Sequence, residues 1–160
     1  MEKSQYYIGA PNGIVLCVDQ LQRHQISGKF YHGYSAEEVL FRSETQVLFQ
    51  MEKLFDDIKF PYPSTDSRTF AAKKQKNSGE QERARLMSDE ELLSRHGELG
   101  TFIIRVQHRQ NSSWQGSITW TEQNRTIYFR SIWEMIKLIE SAVNSADGQE
   151  ENTEKEASWF

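Results

Sequence analysis

Apolar and polar positions alternate along residues 25–34, where Ile26, Gly28, Phe30 and His32 interleave with Gln25, Ser27, Lys29 and Tyr31. A period of two predicts a β-strand with unlike faces. Residues 13–20 read as a strand before it, and residues 38–42 as a short one after the turn at Tyr34-Ser35-Ala36. The period then lengthens. Val47, Leu48, Met51, Leu54 and Phe55 stand three and four apart, which is one stripe of an amphipathic helix. The same order returns later in the chain. Residues 102–109, 114–122 and 126–130 read as strands, with turns at Gln110-Asn111-Ser112-Ser113 and Gln123-Asn124-Arg125. Ile132 then opens a helix that carries Met135, Ile136, Ile139 and Val143.

The two stretches match without a gap at a constant separation of 88 residues: Gly28 falls on Gly116, Val18 on Val106, Gln22 on Gln110, and Phe41-Arg42-Ser43 on Phe129-Arg130-Ser131. Both helix starts carry the same capping-box pattern, Ser43 with Gln46 and Ser131 with Glu134. A self-match at one offset predicts two copies of one supersecondary unit. The expected architecture is α+β: one domain over 1–160, with βββα repeats at 13–58 and 101–143 related by a pseudo-twofold. The two long helices are expected on one face of an antiparallel sheet, or of two sheets, since a three-stranded sheet with one helix buries only one face by itself. The connector, 59–100, carries two of the three prolines, turns polar and charged over 71–85, and contains a Ser88-Asp89-Glu90-Glu91 cap that predicts a short helix over about 89–96. Residues 144–160 are acidic, with Glu150, Glu151, Glu154 and Glu156, and read as a disordered tail that ends in Trp159 and Phe160.

Composition narrows the class. With 37% hydrophobic residues in 160, the chain can bury a core. A single cysteine, Cys17, rules out an internal disulfide and a cysteine-only zinc site. No run approaches about 20 apolar residues, and the first ten residues lack a basic segment followed by an apolar one, so a cytoplasmic protein with no membrane contact is expected. The net charge of −4 provides no global attraction to nucleic acid, and such a partner would need a local patch.

The candidate chemistry lies on the sheet face opposite the helices. Strict alternation places Arg105, Gln107, Arg109, Gln115, Tyr128 and Arg130 of the second repeat there, against Cys17, Lys29 and Arg42 in the first. Three guanidinium groups amid amides and a tyrosine suit a phosphate or carboxylate, through charge-assisted forks and stacking. A solvated antiparallel face is also often polar for no further reason. Arg105-x-x-x-Arg109 followed by Asn111-x-Ser113-x-x-Gly116 resembles the two signature pieces of PilZ domains, which implies a cyclic dinucleotide. In that family, however, the pieces are well separated, whereas here they are nearly contiguous. None of the histidines, His24, His32, His96 and His108, has a partner at a helical metal-binding spacing, so no metal and no cofactor are expected.

The segment Arg105-Val106-Gln107-His108-Arg109-Gln110-Asn111-Ser112-Ser113-Trp114-Gln115-Gly116, with Phe129-Arg130-Ser131 and the apolar helix after it, resembles a recurring family of short bacterial proteins with no assigned activity. The resemblance extends to Gly28-Lys29-Phe30-Tyr31-His32 and implies a bacterial cytoplasmic origin without naming a ligand. The reading that follows is a non-catalytic binding or regulatory module, monomeric or homodimeric, for an anionic ligand or an acidic protein partner. Two alternatives stay open: an inhibitor or adaptor that acts through its acidic clusters and tail, and a small hydrolase or nuclease using His108.

Overall fold

The period-two segments become six strands of one antiparallel sheet. The computed structural model describes residues 8, 11–64, 68–71 and 85–147. In chain order these form β1 (Ile14–Gln22), β2 (Gln25–His32), β3 (Val39–Phe41), α1 (Glu44–Ile58), α2 (Asp89–Leu93), β4 (Gly100–His108), β5 (Gln115–Trp120), β6 (Arg125–Phe129) and α3 (Ile132–Asp147). The strand order is β3-β2-β1-β4-β5-β6, with β1 and β4 side by side at the centre. Helix α3 runs to Asp147, so residues 144–147 belong to a helix and not to the tail, and the rest of the acidic segment lies outside the described residues.

Two hairpins, β1–β2 and β4–β5, set the sheet's geometry. Arg23 and His24 take left-handed φ values of 52° and 63° at the first tip, and Asn111 and Ser112 take 55° at the second. Two successive left-handed residues make the hairpin turn whose twist matches that of paired strands. Each hairpin also carries a bulge at the same place. Val18 pairs with Gly28 and the register then slips between Val18 and Gln20; Val106 pairs with Gly116 and slips between Val106 and His108. A Cβ on Gly28 would lie 2.0 Å from the carbonyl oxygen of Cys17, and one on Gly116 1.9 Å from that of Arg105. The strands approach too closely there for any side chain. Leu99 N donates to Val18 O at 2.8 Å, and Asn12 Nδ2 donates to Val106 O at 2.8 Å, so chain segments entering β4 and β1 satisfy the carbonyls at the two bulges.

Apolar burial follows the parity of the strands up to the bulges. Ile14, Leu16, Val18, Phe30 and Phe41 join Phe102, Ile104, Val106, Ile118 and Phe129 in one buried cluster with Val47, Met51 and Phe55 of α1 and Met135, Ile139 and Val143 of α3. The caps form as the sequence predicts on one side: Gln46 N donates to Ser43 Oγ and Glu134 N to Ser131 Oγ, both at 3.1 Å. The return bond is shifted by one residue in both helices, with Arg42 N donating to Gln46 Oε1 at 2.7 Å and Arg130 N to Glu134 Oε1 at 3.0 Å. Each side chain thus ties the end of a strand to the helix that follows it. Among the described residues no helix is long and apolar enough to cross a membrane.

Candidate binding surface of the second half

Strict alternation fails beyond the bulge, and with it the expected face of three arginines. Because Gln107 is the extra residue, His108 pairs with Gln115, and the side chains of His108 and of Arg109 just past the strand change sides. Arg109 therefore points to the helix side of the sheet, not to the opposite face. It is only 5% exposed, donates from Nε to Pro61 O at 2.6 Å and from Nη1 to Asp56 Oδ1 at 2.8 Å, and lies 5.9 Å from the Phe55 ring centre. The same slip turns Leu21 from the far face to the core side, where it packs on the main cluster. His108 moves the opposite way and is exposed.

The centre of the far face is covered rather than open to solvent. Val15, Cys17, Tyr31 and Ile103 pack beneath Ile8, Met87 and Leu92 in a second buried cluster, so α2 and the segment before it form a partial third layer. Arg95 stacks 4.9 Å over the Tyr31 ring, and Tyr31 Oη donates to Glu38 at 3.0 Å. Burial, with help from that bond, pushes the Tyr31 hydroxyl up to about 12. Cys17 is fully buried, and burial with the nearby Asp19 raises its thiol to about 12. A thiol so protonated is a poor nucleophile. Iodoacetamide at about pH 8 is therefore expected to leave Cys17 unmodified in the folded chain and to label it in denaturant, as read by intact mass.

The other proposed contact residues divide into tied and open. Arg105, Ser117 and Tyr128 stand directly across from one another on β4, β5 and β6, a row with about 4.8 Å between neighbours. Arg105 is half-buried and donates from Nε to the carbonyl of Ile8. Gln115 closes the hairpin: its amide accepts from Gln110 N at 3.0 Å and donates to Gln110 O at 3.1 Å and to Arg130 O at 3.3 Å. Gln107 is exposed at the bulge. The Arg130 side chain is 87% exposed and meets Glu134 Oε2 at 2.9 Å, and that bond holds the Glu134 carboxyl below its ordinary range. Tyr128 is 71% exposed. Of the six, then, Tyr128, Arg130 and Gln107 face solvent, Arg105 and Gln115 are partly covered, and Arg109 is inside.

The pieces that resemble the PilZ signature serve the fold. Arg109 sits in the ion pair with Asp56, and Ser113 Oγ accepts from Ile132 N at 2.9 Å, which joins the β4–β5 hairpin to the start of α3. His32, buried between Phe30 and Tyr34, accepts from Tyr34 N on Nδ1 at 3.1 Å.

What remains open lies along β6. It is an outer strand of the sheet, and residues 125–128 are all exposed, with Arg125 at one end and Arg130 just past the other. Arg125 makes no side-chain hydrogen bond or ion pair among the described residues. Sequence reasoning passed over Arg125 because it reads as a turn residue, and no periodicity marks a turn residue as part of a surface. Compared with family models, curated proteins and solved structures, the chain finds no match.

Proposed function

We propose that this chain is a non-catalytic binding module assembled from two copies of one βββα unit, with both long helices on one face of the sheet, and that it takes an acidic polypeptide strand along β6. Duplication is supported by features the offset itself does not require. The central β1–β4 pairing has Val15 opposite Ile103, which are equivalent positions, while Ile14 opposite Ile104 and Leu16 opposite Phe102 exchange under the same twofold. Bulges, hairpin turns and helix caps repeat with it. The helix arrangement is supported by the single cluster that α1 and α3 share with one parity of the strands.

The reading of β6 as the docking element rests on one observation: an exposed outer strand flanked by two guanidinium groups, with Tyr128 standing out between them. An outer strand presents a row of unpaired N–H and C=O groups to another chain, and folded proteins normally blunt such edges. At the other end of the sheet β3 has only three residues, so the two halves differ where they meet solvent. Positive groups at both ends of β6 would select an acidic strand and set its register, an effect felt mostly in the rate of association and in salt sensitivity. The resemblance to short bacterial proteins, carried by Arg105 to Gly116 and Phe129-Arg130-Ser131, is compatible with such a module and names no partner of its own.

The test is fluorescence anisotropy with a labelled peptide of alternating glutamate and valine. Binding should weaken by about tenfold or more as salt rises from low to several hundred millimolar. Arg125→Glu with Arg130→Glu should abolish it while leaving the far-ultraviolet circular dichroism unchanged. Binding that ignores both salt and the double substitution refutes the proposal.

A further inference from the structure

A cavity of about 220 Å³ opens between the β5–β6 end of the sheet and the second half of α3. Its apolar lining is Phe102, Ile118, Trp120, Ile127, Leu138 and Ala142. Its polar lining is Arg125, Ser141 and Ser145. Ser141 Oγ donates to Leu138 O at 2.8 Å, which leaves its lone pairs and not its proton for a guest, while Arg125 brings a positive charge that no ion pair meets among the described residues. The matching place in the first half is built differently. Ala142 corresponds to Leu54, whose side chain is buried in the core. Leu138 corresponds to Gln50, which donates to Leu40 O at 2.9 Å and straps helix to strand. Arg125 corresponds to Glu37. One half of an otherwise matched pair thus has the smaller side chain and the opposite charge at the same location.

We infer that this cavity is a binding site for a small organic anion with an apolar body, such as an aryl or short-chain carboxylate, whose charged end meets Arg125. Size sets the class: an apolar cavity of roughly 150 Å³ holds benzene, so this one takes a single ring with a short arm. Phe102, Ile118, Trp120, Ile127, Leu138 and Ala142 give a ring an apolar seat, and Arg125, unmatched among the described residues, selects an anion over a neutral or cationic relative of the same shape. The inference shares Arg125 with the proposed docking strand and otherwise stands apart from it, because the cavity lies under β6 and not along its outer edge.

The experiment uses the full chain with labelled isoleucine methyl groups and two probes, 3-phenylpropionate and its neutral counterpart 3-phenylpropan-1-ol. Saturable shifts at Ile118 and Ile127 are expected with both, and the carboxylate should bind about tenfold more tightly. Arg125→Gln should erase that preference and keep the alcohol. Ala142→Leu, which installs the side chain present at position 54, should weaken both probes by about tenfold or more while the acidic peptide still binds. Loss of peptide binding with intact probe binding would therefore count against the β6 reading alone. The inference is overturned if 3-phenylpropionate gives no saturable shift, if the two probes bind the parent chain equally, or if Ala142→Leu changes nothing. Should Ala142→Leu fail to fold, Arg125→Gln decides through the difference between the probes. Joint replacement of Trp159 and Phe160 by alanine checks the chain's own aromatic end as occupant. If that change alone moves the Ile118 and Ile127 methyl signals in the absence of probe, the site belongs to the tail and the inference falls.

Discussion

Gly116→Ala is expected to cost about 3 kcal/mol, which lowers the melting temperature of a chain this size by roughly 6–12 °C. The cause is backbone against backbone. A methyl group at position 116 would sit 1.9 Å from Arg105 O, inside any allowed contact, and the obstacle cannot turn away as a long side chain can. To make room, β4 and β5 must part at the bulge, and the pairing of Val106 with Gly116 goes with it. That pairing sets the side on which Arg109 emerges, so the damage extends past the site of substitution. Gly28→Ala should cost a similar amount, because its Cβ would lie 2.0 Å from Cys17 O. Gly33→Ala is the control. There the nearest atom is Arg85 Nε at 2.8 Å, on an exposed and flexible side chain, and a shift of under about 1 kcal/mol is expected. Thermal unfolding followed by circular dichroism measures all three. Equal, small losses across the series would mean that the close approach of strands is not what these glycines serve.

The same glycines show how far the sequence could be read. Hydrophobic periodicity gave the α+β class, the strand–strand–strand–helix order in each half and both serine caps, because each is written locally in spacing or residue type. Strand ends drifted by one to two residues: β2 stops at His32, and the expected end of the β5 strand curls into a short 3-10 turn at Thr121–Gln123. The bulges were the costlier omission. Gly28 and Gly116 each mark a strand interior where a bulge is common, but a pattern of period two carries no sign that one residue has been inserted. One uncounted residue in each hairpin reverses the assigned sides, of Leu21 in the first and of His108 and Arg109 in the second. Leu21 is the available clue, since a leucine beside a hairpin tip between Gln20 and Gln22 is at odds with a place on the solvent side.

The cover over the far face is illegible in the sequence for a different reason. The apolar members of that face, Val15, Cys17 and Ile103, were visible in the sequence, yet what covers them arrives from Ile8 and from Met87 and Leu92, far away along the chain. A five-residue helix such as α2 has too few turns to display a stripe, and nothing local says which surface it caps. The cavity beside Ala142 was equally hidden, although the alignment of the halves already held Ala142 against Leu54 and Arg125 against Glu37.

Arg109→Ala is expected to destabilise the fold by about 3 kcal/mol and to release the segment that follows α1. Its guanidinium holds three parts of the molecule in one place: Asp56 near the end of α1, the carbonyl of Pro61 beyond it, and the chain just past β4 that carries it. Arg109 O accepts from Ser64 N at 3.1 Å, and Pro63 bridges to Arg109 in parallel, so the backbone clamps the same segment that the side chain holds. Truncation leaves Pro61 O without its donor in a buried place and empties the volume over Phe55. Asp56→Ala should be at least as damaging, because it strands a guanidinium whose side chain is only 6% exposed, although partial solvent access to Asp56 keeps the loss near the lower end for buried pairs. Lysine at 109 should recover only part, as one ammonium cannot reach Asp56 and Pro61 with a rigid fork. Arg130→Ala supplies the contrast, since its partner contact with Glu134 is open to solvent and its loss should leave the melting temperature within about a degree or two. Hydrogen exchange at Ser64 separates these cases: fast in Arg109→Ala and unchanged in Arg130→Ala. It follows that replacing Arg105, Arg109 and Arg130 together would unfold as much as unbind, and that any loss of ligand in such a variant would say nothing about a binding face. Exchange at Ser64 that is slow in Arg109→Ala, with stability intact, would return Arg109 to the surface chemistry from which its burial removes it.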